Sequence, residues 1–132
     1  MNNSKSITDL HPDLQHLCAQ WLDNCHAAFL DVRITHTFRL PEYQDFLYSQ
    51  GRTLPGKKVT NATSKKSKHC FTLDGKKPAA KAFDFGVFSK GVYIQDGGDE
   101  RYLKAGIIGE KLGLIWGGRF KGLVDAGHLE IK

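Results

Sequence analysis

Directly after His11-Pro12, the residues Leu14, Leu17, Cys18, Trp21, Leu22 and Cys25 recur at steps of three and four. They draw one continuous apolar stripe along a helix that Pro12 opens and that runs to about Ala28. Such a stripe has to be covered, and the rest of the chain supplies short strands to cover it. Val32, Ile34 and His36 alternate with Arg33, Thr35 and Thr37, so 31–38 reads as a strand with His36 on its apolar face as a satisfied core histidine. Across 80–88, Phe83, Phe85 and Val87 alternate with Ala82, Asp84 and Gly86, which turns an aromatic side to the core and Asp84 to the other side. Segments 114–116 and 128–131 read as further short strands, separated by a Gly-rich turn around Gly117-Gly118. A second helix starts at Pro41, buries Tyr43, Phe46 and Leu47, and is stopped by Gly51. A third, over 99–112, is interrupted by Gly106 and Gly109. The expected fold is α+β, a small antiparallel sheet packed with about three helices.

The 132 residues make one domain, 1–132, with no internal repeat. Residues 1–8 are polar at their start and are expected to be flexible. A content of 40% hydrophobic and 25% charged residues is that of a soluble globular domain and excludes collagen-like or wholly disordered chains. No window approaches the roughly 18 apolar residues of a membrane span. The first ten residues lack the apolar run of a secretory signal, so synthesis in the cytoplasm is expected. The 3 cysteines include no Cys-x-x-Cys pair; Cys18 and Cys25 read as buried thiols, and Cys70 has no obvious partner.

Charge is distributed unevenly. The chain carries +5 overall, yet the segment from Arg52 to Lys81 holds nine basic residues against the single acid Asp74. That segment therefore contributes +8 and the remainder −3. It has little periodicity, and 52–79 is expected to be a long basic surface loop; charge alone leaves open whether it attracts polyanions or is simply solvated without a partner.

Of the six histidines, His11, His16 and His26 lie along the first helix without forming a His-x-x-x-His pair. His69 and His128 stand in a different context. His69 precedes the strand that exposes Asp84, and His128 follows Asp125 by three residues. Two histidines and one aspartate suffice for a three-ligand zinc shell with a fourth position for water, and a further carboxylate beside that water would serve as general base. Spacing alone leaves the alternative open, in which Asp84 caps a turn and His128 packs.

The pattern around these residues resembles a known family. Ser67-Lys68-His69 followed by Ala80-Lys81-Ala82-Phe83-Asp84 is similar to the Ser-x-His and Gly-x-Ala-x-Asp signature of the D-Ala-D-Ala (VanY/VanX-type) metallopeptidases, which include the L-alanyl-D-glutamate endopeptidase endolysins of bacteriophages. Asp125-Ala126-Gly127-His128 resembles their terminal Glu/Asp-x-x-His element. Arg39, Gln44 and Leu47-Tyr48-Ser49-Gln50-Gly51-Arg52-Thr53 resemble a block of the phage members, and Trp116-Gly117-Gly118-Arg119-Phe120 their Trp-Gly-Gly-x-aromatic turn. The likeness runs from about Leu10 to Ile131, with its elements in the family's order. Three departures stand out. His69 and Asp84 are fifteen residues apart where members usually have about seven, which places an insertion at 71–78, expected as a lip or hairpin beside the metal. Ala80 occupies the family's Gly position, and Asp125 stands where many members have Glu, a shorter arm that Gly127 would accommodate.

The resemblance implies a zinc peptidase that cuts the stem peptide of bacterial peptidoglycan, as a monomeric phage endolysin made in the cytoplasm and acting on the cell wall after release. It implies that His69, Asp84 and His128 hold Zn²⁺, that Asp125 is the general base, and that Arg39 steadies the substrate carbonyl or the developing oxyanion. Gln44, Ser67 and Trp116 are implied as substrate-binding residues; Ser67 alternatively orders its loop, and Trp116 is alternatively core. The basic loop would draw the enzyme to the anionic envelope. A D-Ala-D-Ala carboxypeptidase and a non-enzymatic basic binding module are the alternatives. Nucleic acid is not the expected partner, because no aromatic stacking platform is interleaved with the lysines.

Overall fold

The structure, a computed structural model, describes residues 3–132. Helix α1 spans Pro12–Ala27, with Pro12 at its first position and the His11 side chain accepting a hydrogen bond from the Asp13 amide. Its inward face is Leu14, Cys18, Trp21 and Cys25, all fully buried. Strand β1 (Asp31–His36) follows, then helix α2 (Pro41–Ser49), the hairpin strands β2 (Thr72–Leu73) and β3 (Lys77–Pro78), and the long strand β4 (Ala82–Ser89). Strand β5 (Val92–Tyr93), helix α3 (Glu100–Lys111), β6 (Ile115–Trp116) and β7 (His128–Glu130) complete the chain. The expected α+β architecture is observed. The main sheet has the order β1-β4-β7-β6, every pairing is antiparallel, and β5 adds to the far end of β4.

The stripe of α1 is covered by β4 and α3. Trp21 sits with its ring centroid 5.3 Å from that of Phe83 and 4.7 Å from that of Phe85. Its indole N–H donates to the carbonyl of Ala105 on α3 at 2.9 Å, so the largest core side chain also has its one polar atom satisfied. Burying side chains of this kind stabilises a fold by about 1.5–3 kcal/mol each. Burial also pushes the Cys18 and Cys25 thiols up to about 12, which makes them core residues without thiolate chemistry.

Several expectations are corrected. Helix α3 runs uninterrupted through Gly106 and Gly109. A Cβ on Gly106 would lie 2.2 Å from the Trp116 ring, so the glycine admits close packing rather than breaking the helix. The inward residue of α2 is Gln44, whereas Phe46 is about half exposed, because α2 lies at the surface over a polar anchor and not over the core. Residues 3–9 are held by backbone hydrogen bonds between Ser4 and both Thr37 and Phe38 and by a 3-10 turn at Ile7–Asp9, instead of fraying; the rest of the expected flexible terminus, Met1 and Asn2, lies outside the described residues. The insertion is a hairpin of two-residue strands joined by a turn over 74–76, in which Asp74 and Gly75 have positive φ. None of its residues lines the cleft described below, and Lys81 stacks on its Phe71 ring at 3.8 Å.

Candidate metal centre and cleft

The register of the sheet places His36 of β1 opposite Asp84 of β4, and Asp84 opposite His128 of β7, in one row across three strands. A β-bulge between Ile34 and His36 interrupts the alternation of β1. The bulge turns His36 off the core face, so it is not the satisfied core histidine expected from the sequence: its side chain is 40% exposed, with Nδ1 3.7 Å from Asp84 Oδ2. His69 approaches the row from a 3-10 turn at Lys68–Cys70, which the Ser67 side chain caps by accepting a hydrogen bond from the His69 amide. Ser67 thus orders its loop.

His69 Nε2 and His128 Nδ1 each lie 3.2 Å from the same oxygen, Asp84 Oδ1. The other nitrogen of each ring has its own partner. His69 Nδ1 is 2.8 Å from the carbonyl of Thr37, an acceptor only, so Nδ1 carries the proton and Nε2 presents a lone pair. His128 Nε2 is 2.8 Å from Glu130 Oε1, so by the same reasoning Nδ1 presents a lone pair. Two imidazole lone pairs and a carboxylate oxygen therefore converge on one point, an arrangement that requires positive charge at its centre, a proton or a metal ion. These atoms form a three-residue group able to hold a metal. Tetrahedral zinc with bonds of about 2.0–2.1 Å separates its ligand atoms by about 3.3 Å, which matches the two nitrogen-to-oxygen separations of 3.2 Å. The donor set, two nitrogens and one oxygen with both rings fixed by outer partners, fits a catalytic zinc site.

The charges agree with this geometry. Burial works against the Asp84 carboxylate, but the imidazoles of His69 and His128 outweigh it and hold the group well below the usual carboxylate range. Burial likewise works against an imidazolium at His128, yet the hydrogen bonds its ring donates to Asp84 and Glu130 push it up to about 9. Both rings are nearly inaccessible, His69 at 4% and His128 at 8%.

An open cleft of about 420 Å³ leads to Asp84 between the sheet and the 94–99 loop. Asp125 lines it, with Oδ2 3.9 Å from His128 Nδ1, beside the three-residue group and outside it. Burial, then the neighbouring Asp84, raises the Asp125 carboxyl above the usual range. Segment 125–127 is held tightly: the Asp125 amide donates to Gly117 O at 3.0 Å, the Trp116 indole to Ala126 O at 2.8 Å, and Gly127 O accepts from Phe85 N at 2.8 Å. A Cβ on Gly127 would come within 2.5 Å of Phe85 O, so glycine is needed for this backbone approach.

The remaining expected site residues sit differently. Arg39 donates from Nη1 to Gln44 Oε1 at 2.8 Å and from Nη2 to Asp84 Oδ2 at 3.2 Å, so it grips the outer oxygen of Asp84 and does not line the cleft. Gln44 is 1% exposed, and its amide nitrogen is taken by Thr60 Oγ1 and Ala62 O, leaving nothing for a ligand; it braces Arg39. Trp116 is 6% exposed and belongs to the core while pinning the Asp125 turn. The cleft wall instead includes His36, Tyr93 and Gln95, positions invisible to sequence patterning because the bulge and the two-residue strand β5 leave no periodic trace. Tyr102 fixes that wall by donating to Ile94 O at 2.7 Å and accepting from Val87 N at 3.2 Å.

The basic segment divides in two. Arg52 donates to Tyr48 O and Thr60 O, Lys81 stacks on Phe71, and Lys68 pairs with Glu130, so these three are structural. Lys57, Lys58, Lys65, Lys66, Lys76 and Lys77 are exposed.

No family model matches the chain. Fold and site together nevertheless are those of a metallopeptidase, and a relative in sequence narrows the class. The chain is 36% identical to the peptidoglycan L-alanyl-D-glutamate endopeptidase CwlK of Bacillus subtilis (strain 168), over 94% of its own length and 74% of that protein. The crystal structure of the L-Ala D-Glu endopeptidase ChiX from Serratia marcescens shares the fold with a TM-score of 0.70 at 18% identity, covering 96% of this chain and 83% of that one. The chain belongs to the family of VanY-like L-alanyl-D-glutamate endopeptidases.

Proposed function

We propose that this single domain is a zinc peptidase that hydrolyses the L-alanyl–D-glutamate bond in the stem peptide of peptidoglycan. The observation that carries the reading is the convergence of His69 Nε2, Asp84 Oδ1 and His128 Nδ1 at the head of an open cleft. His69, Asp84 and His128 would hold the ion, which when bound supplies Lewis-acid polarisation of a carbonyl and acidifies water to a pKa of about 7. Asp125 Oδ2 accepts the proton of the attacking water and returns it to the leaving amine, for which a carboxyl raised by burial is suited. Arg39, braced by Gln44, positions Asp84. The peptide occupies the cleft along His36, Tyr93 and Gln95. Digestion of purified muropeptides followed by mass spectrometry tests the bond: fragments with a new glutamyl N-terminus support the reading, and release of terminal D-alanine alone would reassign the chain as a carboxypeptidase.

The 47–53 block of the sequence favours a bacteriophage endolysin that works as a monomer on the cell wall during host lysis. The exposed lysines of the basic loop draw it to the anionic envelope. Exposed charges are screened over about 8–10 Å at physiological ionic strength, so lysis of whole cells should slow as salt rises. Replacing Lys57, Lys58, Lys65 and Lys66 by glutamine should flatten that dependence while muropeptide turnover is unchanged. Equal salt sensitivity in the two proteins removes the steering role.

A further inference from the structure

Glu130 and Lys68 serve neither as metal donors nor as walls of the cleft, yet they are arranged around one of the donors. Glu130 lies two residues after His128 on β7, hence on the same side of the strand. Its Oε1 accepts from His128 Nε2 at 2.8 Å, and its Oε2 is paired with the Lys68 ammonium. Lys68 donates in turn to Ile131 O, while its own carbonyl accepts from Lys81 N. The residue after Lys68 is His69, the donor on the opposite side of the centre. One ion pair thus ties the turn that carries His69 to the strand that carries His128.

Resting on the zinc reading above, we infer that the Lys68–Glu130 pair is a positioning device for the metal centre: Glu130 fixes the tautomer and plane of His128 so that Nδ1 faces the ion, and Lys68 fixes Glu130 while locking the His69 turn to β7. An imidazole without a partner at its remote nitrogen rotates and exchanges tautomers, and only one tautomer in one orientation presents Nδ1 to Asp84 Oδ1. A carboxylate accepting the remote N–H selects that state. Left alone, this poorly accessible carboxylate would add a further negative charge beside His128; Lys68 cancels it at contact distance. The device therefore orients the ligand without changing the net charge. The sequence disguised both members, Lys68 as one lysine in a basic run and Glu130 as a spare carboxylate near the end.

Loss of such a supporting partner typically weakens metal affinity by about 10–100-fold. The zinc Kd, measured by chelator competition on the full chain, should rise by that factor in Glu130→Ala. In Glu130→Gln the amide oxygen can still accept from Nε2, so most of the affinity should return. Lys68→Met should weaken zinc binding, and adding it to Glu130→Ala should cost little more, because the two act through one contact. In the cobalt-substituted protein, the visible spectrum should shift in Glu130→Ala and move back toward wild type in Glu130→Gln, a rescue that general damage to the fold would not give. A Glu130→Ala Kd within twofold of wild type, or equal losses in the Ala and Gln variants, overturns the positioning role and leaves the peptidase reading intact. A wild-type chain that takes up no zinc overturns that reading, and this inference with it.

Discussion

His69→Ala and His128→Ala should each purify with almost no zinc, against close to one ion per wild-type chain, and muropeptide cleavage should vanish with the metal. Three donor atoms meet within 4.8 Å of one another, and removing either imidazole leaves two, too few for a catalytic zinc. The loss should exceed the about 10–100-fold that removal of an outer partner costs. The two histidines are the informative positions, because Asp84→Ala would also strip Arg39 of its carboxylate and leave a poorly accessible guanidinium uncompensated, a change expected to cost about 3–5 kcal/mol of stability by itself. Metal analysis on folded protein, with circular dichroism as the control for folding, gives the result. Full zinc content in both histidine variants would end the assignment of these ligands.

Asp125→Asn should separate binding from chemistry. Asn is nearly isosteric, and Asp125 stands beside the donor group without belonging to it, so the variant should keep its fold and its zinc. It cannot accept a proton, and general-base catalysis is worth about 10²–10⁴-fold, so kcat should fall by that range. Asp125→Glu should retain more activity than Asn, limited by the space that the pinned 125–127 segment allows. Zinc content and turnover measured on one preparation decide between the readings. Loss of metal with activity makes Asp125 a ligand, and turnover at the wild-type rate places the base elsewhere. Glu130 is then a poor substitute, since both of its oxygens are already engaged by His128 and Lys68.

What the sequence made legible, and what it did not, follows from the range of the interactions involved. The stripe of α1 and the alternation of Phe83, Phe85 and Val87 are local patterns imposed by a buried face, and both elements stand close to where periodicity puts them. Asp84 points out of the core for the same reason. The meeting of His69 with Asp84 across fifteen residues and a hairpin is a tertiary fact, legible only through the resemblance to a family. His36 departs from its sequence pattern because a bulge adds one residue to β1 and moves the side chain after it to the other face, an event that leaves no mark on residue type. Gln44 and Trp116 were expected at the substrate because polar and aromatic residues near a site are often its walls. Here each is spent one layer behind, Gln44 on Arg39 and Trp116 on the turn that carries Asp125. Charge counting likewise could not separate the exposed lysines from Arg52, Lys68 and Lys81, whose partners lie elsewhere in the chain.

On the zinc-peptidase reading, hydrolysis depends on one metal ion held by His69, Asp84 and His128. The most direct test is a titration of zinc into chelator-stripped protein while muropeptide turnover is followed. Turnover should start near zero, rise linearly with added zinc and level off at one equivalent per chain. Full turnover by the stripped protein before any metal is added, or no recovery after one equivalent has bound, would contradict the account.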